Sequence, residues 1–378
     1  MSTEISGTCD ERFIRFKDAF RANFDAGLEL GSSLAVCHRG EMVVDLWAGS
    51  ADREQTRPWQ RDTIVQVYSL TKIPLIMSML LLVDRALIEL DQRVAHYWPE
   101  FAANGKSEVS VRDLLSHQGG VPGFDPPVPF EALHDWPGIT AHLAASPHWF
   151  EGRKVLCYHP VSYGFLLGEL IRRVDGRMPT QFFREEFAQP IGADFQMSLS
   201  DKADLARVAQ IRMHTNPLPF AEGSVTARIW SSVGPGNGAS WERRSAESPA
   251  NNGYGNGRSV ARLCSIMAMG GELDGKRYLS SEIVAQAAEE QAYAEDFGFG
   301  WLRMGLGFGL HSEQFPAPTP TCFHWGGYGG AWGVMDPESG LSLGYTCNGL
   351  IMEFDDGVLL DPRLQRFKDV LGQLAAEL

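Results

Sequence analysis

Residues 63–82 read TIVQVYSLTKIPLIMSMLLL, and this stretch decides the fold around it. The pattern predicts an extended segment up to Tyr68 and a buried apolar helix from Ile73 to Leu82. Ser69 and Lys72 lie three residues apart where the helix opens, so their side chains share one face and can touch. The stretch therefore predicts a strand, a turn and a helix that presents a serine beside a lysine.

This pair of residues suits nucleophilic chemistry. A serine hydroxyl is a weak nucleophile at neutral pH, and a partly desolvated lysine can lose its proton and act as the base that activates it. The backbone N–H of Ser69, at the positive end of the helix, can also stabilise an oxyanion. Ser-x-x-Lys also arises by chance, and a capping serine near a solvated lysine is common, so other segments must support a chemical role.

Composition excludes several classes of function. The chain has 378 residues, 44% of them hydrophobic and 21% charged, which is typical of a soluble globular protein with a large core. The formal net charge of -14 disfavours nucleic acid or an anionic membrane as a partner. The N-terminus lacks the pattern of a signal peptide and no stretch is long enough to span a bilayer, so we expect a cytoplasmic protein.

The cysteines and histidines give no sign of a metal site. The six cysteines show no Cys-x-x-Cys spacing, which argues against a zinc site or a disulfide framework. The ten histidines include no His-Glu-x-x-His pair. We expect that neither a metal nor an organic cofactor is needed.

The pattern along the chain predicts a sheet built from both ends of the sequence. Near the start, Ser33 to His38 and Met42 to Trp47 read as strands joined at Arg39-Gly40, which predicts a β-hairpin. Helical patterns follow, including a long one from Pro74 to Leu90.

Short strands with glycine-rich turns return late, among them Leu341 to Cys347, and Pro362 to Glu377 reads as a closing amphipathic helix. We therefore predict an α+β fold. A discontinuous α/β domain would comprise residues 1–75 and 291–378, and a mainly helical domain would comprise residues 76–290.

Two further segments resemble parts of a site. Tyr158 lies at a loop edge before an apolar helix, and we expect a neighbouring lysine ammonium to lower its pKa so that the phenol can shuttle protons. The alternative is a core tyrosine with a satisfied hydroxyl. The glycine-rich run from His324 to Gly333 would place an edge strand against an acyl group and donate an N–H to its oxyanion, the alternative being a simple hairpin turn.

Together, Ser69-x-x-Lys72, Tyr158 and Trp325-Gly326-Gly327 resemble the ordered triplet of the serine β-lactamase and penicillin-binding-protein superfamily. The likeness is to the class C β-lactamase-like esterases, also called family VIII carboxylesterases. It extends over roughly residues 20 to 350 and includes Val111 to Gly120, Tyr158 to Gly168 and Gly255 to Ser259.

The resemblance implies an antiparallel sheet flanked by terminal helices, an inserted all-α domain and an active site between them. It implies Ser69 as the acylated nucleophile and Lys72 with Tyr158 as the coupled base. It further implies the backbone N–H groups of Ser69 and Tyr328 as the oxyanion hole, with Trp325, Gly326 and Gly327 beside the substrate.

Two departures bear on the substrate. Pro160 occupies the position where many β-lactamases and peptidases carry asparagine, and Trp325 occupies that of a lysine. Proline donates no side-chain hydrogen bond, and an indole offers one neutral donor where an ammonium would bind a carboxylate. An uncharged acyl group is therefore favoured over a β-lactam or peptide.

We predict a serine hydrolase that cleaves small or short-chain carboxylic esters through an acyl-Ser69 intermediate. The alternatives are an amide hydrolase, β-lactamase or acyltransferase on the same fold, or a non-catalytic penicillin-recognising type of binding module. The partner would be a small-molecule ester, and the sequence leaves the oligomeric state open. We interpret His117, Arg112 and Asp113 as structural, with the histidine capping helix carbonyls and the two charges solvated or holding a loop.

Overall fold

A computed structural model describes residues 3–213, 220–355 and 358–378 of the chain. Helices make up much of its centre. Within the described residues the α-helices are α1 (Ile14–Asp25), α2 (Lys72–Asp84), α3 (Val94–Tyr97), α4 (Val111–Leu115), α5 (Trp136–Ala145), α6 (Ser162–Asp175), α7 (Pro179–Phe183), α8 (Val225–Trp230), α9 (Trp241–Ser245), α10 (Gly257–Ala268), α11 (Ser281–Ala287) and α12 (Pro362–Glu377). Short 3₁₀ turns at Glu11–Phe13, Ser69–Thr71, Pro99–Ala102, Phe130–His134 and Lys202–Ala206, and a π-turn at Arg184–Ala188, supplement them.

The strands come mainly from the two ends of the chain. They are β1 (Ile5–Cys9), β2 (Gly31–His38), β3 (Glu41–Gly49), β4 (Val65–Tyr68), β5 (Arg212–Met213), β6 (Gly253–Gly255), β7 (Glu272–Leu273), β8 (Lys276–Arg277), β9 (Ala292–Asp296), β10 (Gly300–Met304), β11 (Gly309–Leu310), β12 (Phe323–Gly326), β13 (Trp332–Asp336), β14 (Leu341–Cys347), β15 (Gly349–Leu350), β16 (Glu353–Asp355) and β17 (Val358–Leu360).

Nine of these strands form one antiparallel sheet in the order β1-β3-β2-β14-β13-β12-β11-β10-β9. The predicted hairpin is confirmed as β2 and β3, whose turn places Arg39 at φ 50° and Gly40 at φ 85°. Both residues of such a turn need positive φ, and this matches the right-handed twist of the strands. The predicted α+β fold with an antiparallel sheet is confirmed.

Helices cover both faces of the sheet. The terminal helices α1 and α12 pack on one face, where Phe16, Phe20, Phe367 and Leu371 are buried in one apolar cluster. On the other face α10 packs against β2, β13 and β14. The approach of α10 is close: a Cβ on Gly344 would lie 2.2 Å from the carbonyl oxygen of Gly257.

The apolar helix predicted after the serine is α2, and its residues from Lys72 to Leu82 are all buried. A helix that is apolar all round belongs inside a protein, and α2 packs against α6, α7 and α11. The predicted extension to Leu90 is wrong, because the helix ends at Asp84 and Ala86 turns the chain with φ 55°. The division into domains at residues 75/76 and 290/291 stays a prediction.

Candidate active site

Ser69 lies at the end of β4, where the chain turns into α2. Tyr68 immediately before it has φ 48° and ψ −128°, a strained conformation for a residue with a side chain. The hydroxyl of Thr71 holds this turn, since it donates to the carbonyl oxygen of Tyr68 at 2.5 Å and accepts the N–H of Gly253 at 2.8 Å. The strained turn places the Ser69 side chain on the wall of a cleft.

Lys72 is fully buried below this serine. Its Nζ lies 3.3 Å from Ser69 Oγ and donates to the carbonyl oxygens of Pro160 and Ala250, at 2.9 and 3.1 Å. Among the residues that the structure describes, no carboxylate forms an ion pair with it. Burial lowers the pKa of Lys72 well below its ordinary value, which favours the neutral amine. In that form the two carbonyls would take its two hydrogens and leave its lone pair for the serine hydroxyl.

Tyr158 approaches the same serine from the loop before α6. Its hydroxyl donates to Ser69 Oγ at 2.7 Å. Burial raises the pKa of the Tyr158 phenol, and its contacts with Ser69 and Trp325 only partly oppose that rise. The lowered pKa that we expected is therefore wrong, and the phenol keeps its proton at neutral pH.

Two residues that line the cleft have backbone N–H groups that donate no hydrogen bond within residues 3–213, 220–355 and 358–378, namely Ser69 and Tyr328. The turn that carries Tyr328 is closed by the Gly327 N–H, which donates to the carbonyl oxygen of Ala331 at 2.7 Å. A Cβ on Gly327 would lie 2.1 Å from the carbonyl oxygen of Val67, so this turn packs directly against β4.

The prediction that Trp325 and Gly326 belong to an edge strand is wrong, because β12 is paired on both sides. On the side of β11, however, the pairing covers only Phe323 and His324. The last two residues of β12 pair with β13 alone, and both line the cleft. The Trp325 ring lies 5.6 Å from the ring of Tyr158.

The cleft above Ser69 has a volume of about 150 Å³ and is walled mainly by aromatic and aliphatic side chains. No charged side chain is among the described residues that line it. Its lining residues are Ser69, Tyr158, Trp230, Phe299, Leu302, Phe315, His324, Trp325, Gly326, Gly327, Tyr328, Gly330, Ala331, Trp332, Met352 and Leu364. Burial lowers the pKa of His324 to about 4, so this histidine is neutral as well.

The structure thus brings all the predicted site residues to one place, and sequence reasoning missed several neighbours. The carbonyls of Pro160 and Ala250 carry no sequence signal, because any residue has a carbonyl. Trp230 and Phe299 come from segments with no motif. Arg112 and Asp113, which we predicted to be solvated or to hold a loop, make separate ion pairs, with Asp91 at 2.7 Å and Lys154 at 2.7 Å.

No helix of the described residues is long and apolar enough to cross a membrane. In the same part of the chain, no three histidine, cysteine or carboxylate side chains are grouped so that they could hold a metal ion.

A serine that follows a strained residue, a buried lysine and a tyrosine hydroxyl meet at the wall of one cleft, an arrangement that defines a class of protein, and comparison with known proteins agrees. A family model described as Beta-lactamase matches residues 20–364. The chain therefore belongs to the Beta-lactamase family and is a hydrolase of the β-lactamase fold.

Similar proteins include an esterase/beta-lactamase, LipL, of Mycobacterium tuberculosis, which is 33% identical over 92% of this chain and 83% of its own length. A crystal structure of a family VIII carboxylesterase is 36% identical, with a TM-score of 0.89 over 98% of this chain and 100% of that one. A penicillin-binding protein homologue from Caulobacter crescentus is 34% identical, with a TM-score of 0.89 over the same shares.

Proposed function

We propose that this protein hydrolyses uncharged carboxylic esters with small or short-chain acyl groups through a covalent acyl-Ser69 intermediate. One observation carries the proposal: Ser69 Oγ lies between the buried amine of Lys72 and the hydroxyl of Tyr158, on the wall of a cleft whose described lining residues include no charged side chain. The names of the similar proteins, an esterase/beta-lactamase and a family VIII carboxylesterase, support the same class of substrate.

The neutral amine sets the order of proton transfers. Lys72 takes the proton of Ser69 while Oγ forms a bond to the ester carbonyl carbon. The carbonyl oxygen becomes an oxyanion, which the N–H groups of Ser69 and Tyr328 stabilise, each worth about 10²–10³ in rate. The intermediate collapses, its bond to the alkoxy oxygen breaks, and Tyr158 gives its proton to the leaving alcohol. The ammonium of Lys72 then returns a proton to Tyr158.

The second half repeats these transfers with water. Lys72, again neutral, takes a proton from water through Tyr158 or directly, and the hydroxide adds to the acyl carbon. Collapse breaks the acyl bond to Ser69, which recovers its proton, and the carboxylic acid leaves.

The cleft bears on which ester fits. A carboxylate-bearing substrate such as a cephalosporin would lose its hydration in a cleft whose lining, as far as the structure describes it, has no charged side chain, and a buried unpaired charge costs several kcal/mol or more. An uncharged ester avoids this penalty. The aromatic walls instead contact an apolar acyl or alcohol group.

The test compares p-nitrophenyl acetate, butyrate and decanoate with a chromogenic cephalosporin. We expect the highest kcat/KM on the two short esters and a much lower value on the cephalosporin. Equal or better turnover of the cephalosporin would replace the ester assignment by a β-lactamase. A single stoichiometric burst without turnover on every substrate would instead indicate a binding module.

A further inference from the structure

Three consecutive backbone amides around Tyr158 are held by two residues that are distant in sequence. The N–H of Cys157 donates to the carbonyl oxygen of His117 at 3.0 Å, and the N–H of Tyr158 donates to Asp296 Oδ2 at 2.7 Å. The N–H of His159 donates to Nδ1 of the same His117 at 3.3 Å. This loop before α6 has no helix or strand of its own, so these bonds fix where its backbone lies.

His117 is shaped for this task. It follows α4 with φ 61°, a conformation that turns both its carbonyl and its ring towards the loop. Its ring lies 4.9 Å from the Tyr158 ring in an edge-on arrangement and 4.3 Å from that of Tyr163. Burial lowers the pKa of His117 well below its ordinary value, which favours a neutral ring, and the N–H of His159 that points at Nδ1 selects the tautomer in which Nδ1 is the acceptor. From the sequence we expected this histidine to cap helix carbonyls. Its ring instead accepts the N–H of His159.

Asp296 joins the same loop to the wall of the cleft. It is buried at the end of β9, and its Oδ1 accepts the N–H groups of Gly298 and Phe299 at 2.8 and 3.1 Å. The Phe299 ring lines the cleft and meets the Tyr158 ring edge-on at 5.1 Å. The carboxylate of Asp296 thus fixes the position of the Tyr158 backbone and also the backbone of Phe299, whose ring packs against the Tyr158 ring.

We propose that His117 and Asp296 are positioning residues that hold the Tyr158 hydroxyl on Ser69 Oγ. This inference rests on the proposed function, in which that hydroxyl delivers a proton to the leaving group. A displacement of about 1 Å in such a group can cost about 10² in rate. Ground-state binding of the ester involves the apolar walls more than the phenol, so kcat falls while KM changes little.

The test uses His117→Gly, which keeps the left-handed backbone free of strain and removes the ring, both its acceptor nitrogen and its contacts with Tyr158 and Tyr163. On p-nitrophenyl butyrate we expect kcat to fall by about 10²-fold with KM changed by less than about twofold. His117→Asn should recover most of kcat, since its amide oxygen can accept the same N–H and asparagine tolerates this backbone conformation.

A matched control is His148→Gly. The Nδ1 of His148 also accepts two backbone amides, those of Phe150 and Gly152 at 3.1 Å each, and the residue is buried outside the cleft. The His148→Gly variant should lower the melting temperature about as much as His117→Gly does, and it should leave kcat unchanged. Combining His117→Gly with Tyr158→Phe should cost no further kcat than Tyr158→Phe alone, because the only group being positioned is already absent.

A folded His117→Gly variant with the parent kcat would overturn the inference, and so would additive losses in the double variant. If His117→Gly does not fold, Asp296→Asn decides instead, since its amide replaces one acceptor oxygen by a donor. Asp296→Asn should lower kcat in the same way as His117→Gly. If Asp296→Asn has the same kcat as the parent enzyme, the inference is overturned. Failure of the proposed function has a different signature, because Ser69→Ala would then retain turnover.

Discussion

At the scale of single residues, the surroundings of Lys72 decide what each group in the site can do. Its nitrogen has two carbonyl acceptors, a serine hydroxyl and no carboxylate partner among the described residues. An ammonium there would be buried without a counter-ion, which is costly. We therefore propose Lys72 as the first proton acceptor and Tyr158 as the group that passes a proton on.

This arrangement predicts a specific pH dependence. Burial lowers the pKa of Lys72, so the group is protonated only at low pH, and protonation removes the base. We expect kcat/KM to rise with pH through the lowered pKa of Lys72 and then to reach a plateau. The plateau should begin well below pH ~10.4, where a solvated lysine titrates. Lys72→Arg, which cannot release its proton, should lower kcat/KM by about 10³-fold at all pH values.

Lys106 offers a matched control for that experiment. It is also buried, donates to the carbonyl oxygens of Ala103 and Ser146, and has a pKa that burial lowers to about 8. It does not line the cleft. Lys106→Met should leave the pH profile of kcat/KM unchanged, and a rising limb that persists in Lys72→Arg would contradict the role given to Lys72.

At the scale of elements, the site depends on the contact between β4 and the turn that follows β12. Gly327 has no room for a side chain, since its Cβ would lie 2.1 Å from the carbonyl oxygen of Val67. The next residue, Tyr328, carries one of the two free amides, and its ring lies 5.6 Å from that of Tyr68. The contact between this turn and β4 therefore fixes where the Tyr328 amide lies.

Gly327→Ala should therefore push the turn away from β4 and lower kcat by about 10²–10³-fold, the usual loss for one oxyanion donor. The rate of p-nitrophenyl butyrate hydrolysis and the melting temperature measure the two effects separately. Gly234→Ala is the control, because the nearest atom to its Cβ would be Pro129 Cα at an ordinary 3.6 Å. Unchanged kcat in a folded Gly327→Ala variant would show that the Tyr328 amide is not an oxyanion donor.

Elements with a clear local signal could be predicted from the sequence. Leu341–Cys347 was predicted as a strand with the bounds that the structure gives, because it is apolar and bounded by turn residues. The end of α2 was misplaced, since no glycine or proline marks the turn at Ala86. In the site, Ser69, Lys72 and Tyr158 could be found from their motifs. The partners of Lys72 could not, because the carbonyls of Pro160 and Ala250 approach it only through the fold.

At the scale of the whole molecule, the two ends of the chain meet in a buried polar cluster under the site. Arg363 of α12 pairs with Asp361 at 2.6 Å and lies 3.7 Å from Glu29, which also accepts the hydroxyl of Tyr345. The same guanidinium donates to the carbonyl oxygen of Gly329 at 2.8 Å. Closing the sheet with both chain ends therefore also supports the turn that carries Tyr328.

Glu29 makes this cluster sensitive to pH. Burial raises the pKa of Glu29 from 4.5 to about 7, with Arg363 opposing the rise. Between these values the folded protein binds the proton more than the unfolded chain does, so stability falls as pH rises through that window. Glu29→Gln cannot titrate and should flatten that decline. The melting temperatures of the parent protein and of Glu29→Gln, taken at several pH values between 4.5 and 7, measure this decline. If the two melting temperatures change with pH in the same way, Glu29 is not the group responsible.

The most direct measurement for the nucleophile is intact-mass spectrometry and peptide mapping after treatment with a fluorophosphonate. We expect one adduct per chain, carried by Ser69, forming faster as pH rises through the lowered pKa of Lys72 and only very slowly in Lys72→Arg. An adduct on another residue, or labelling of Ser69→Ala at the parent rate, would show that Ser69 is not the activated nucleophile.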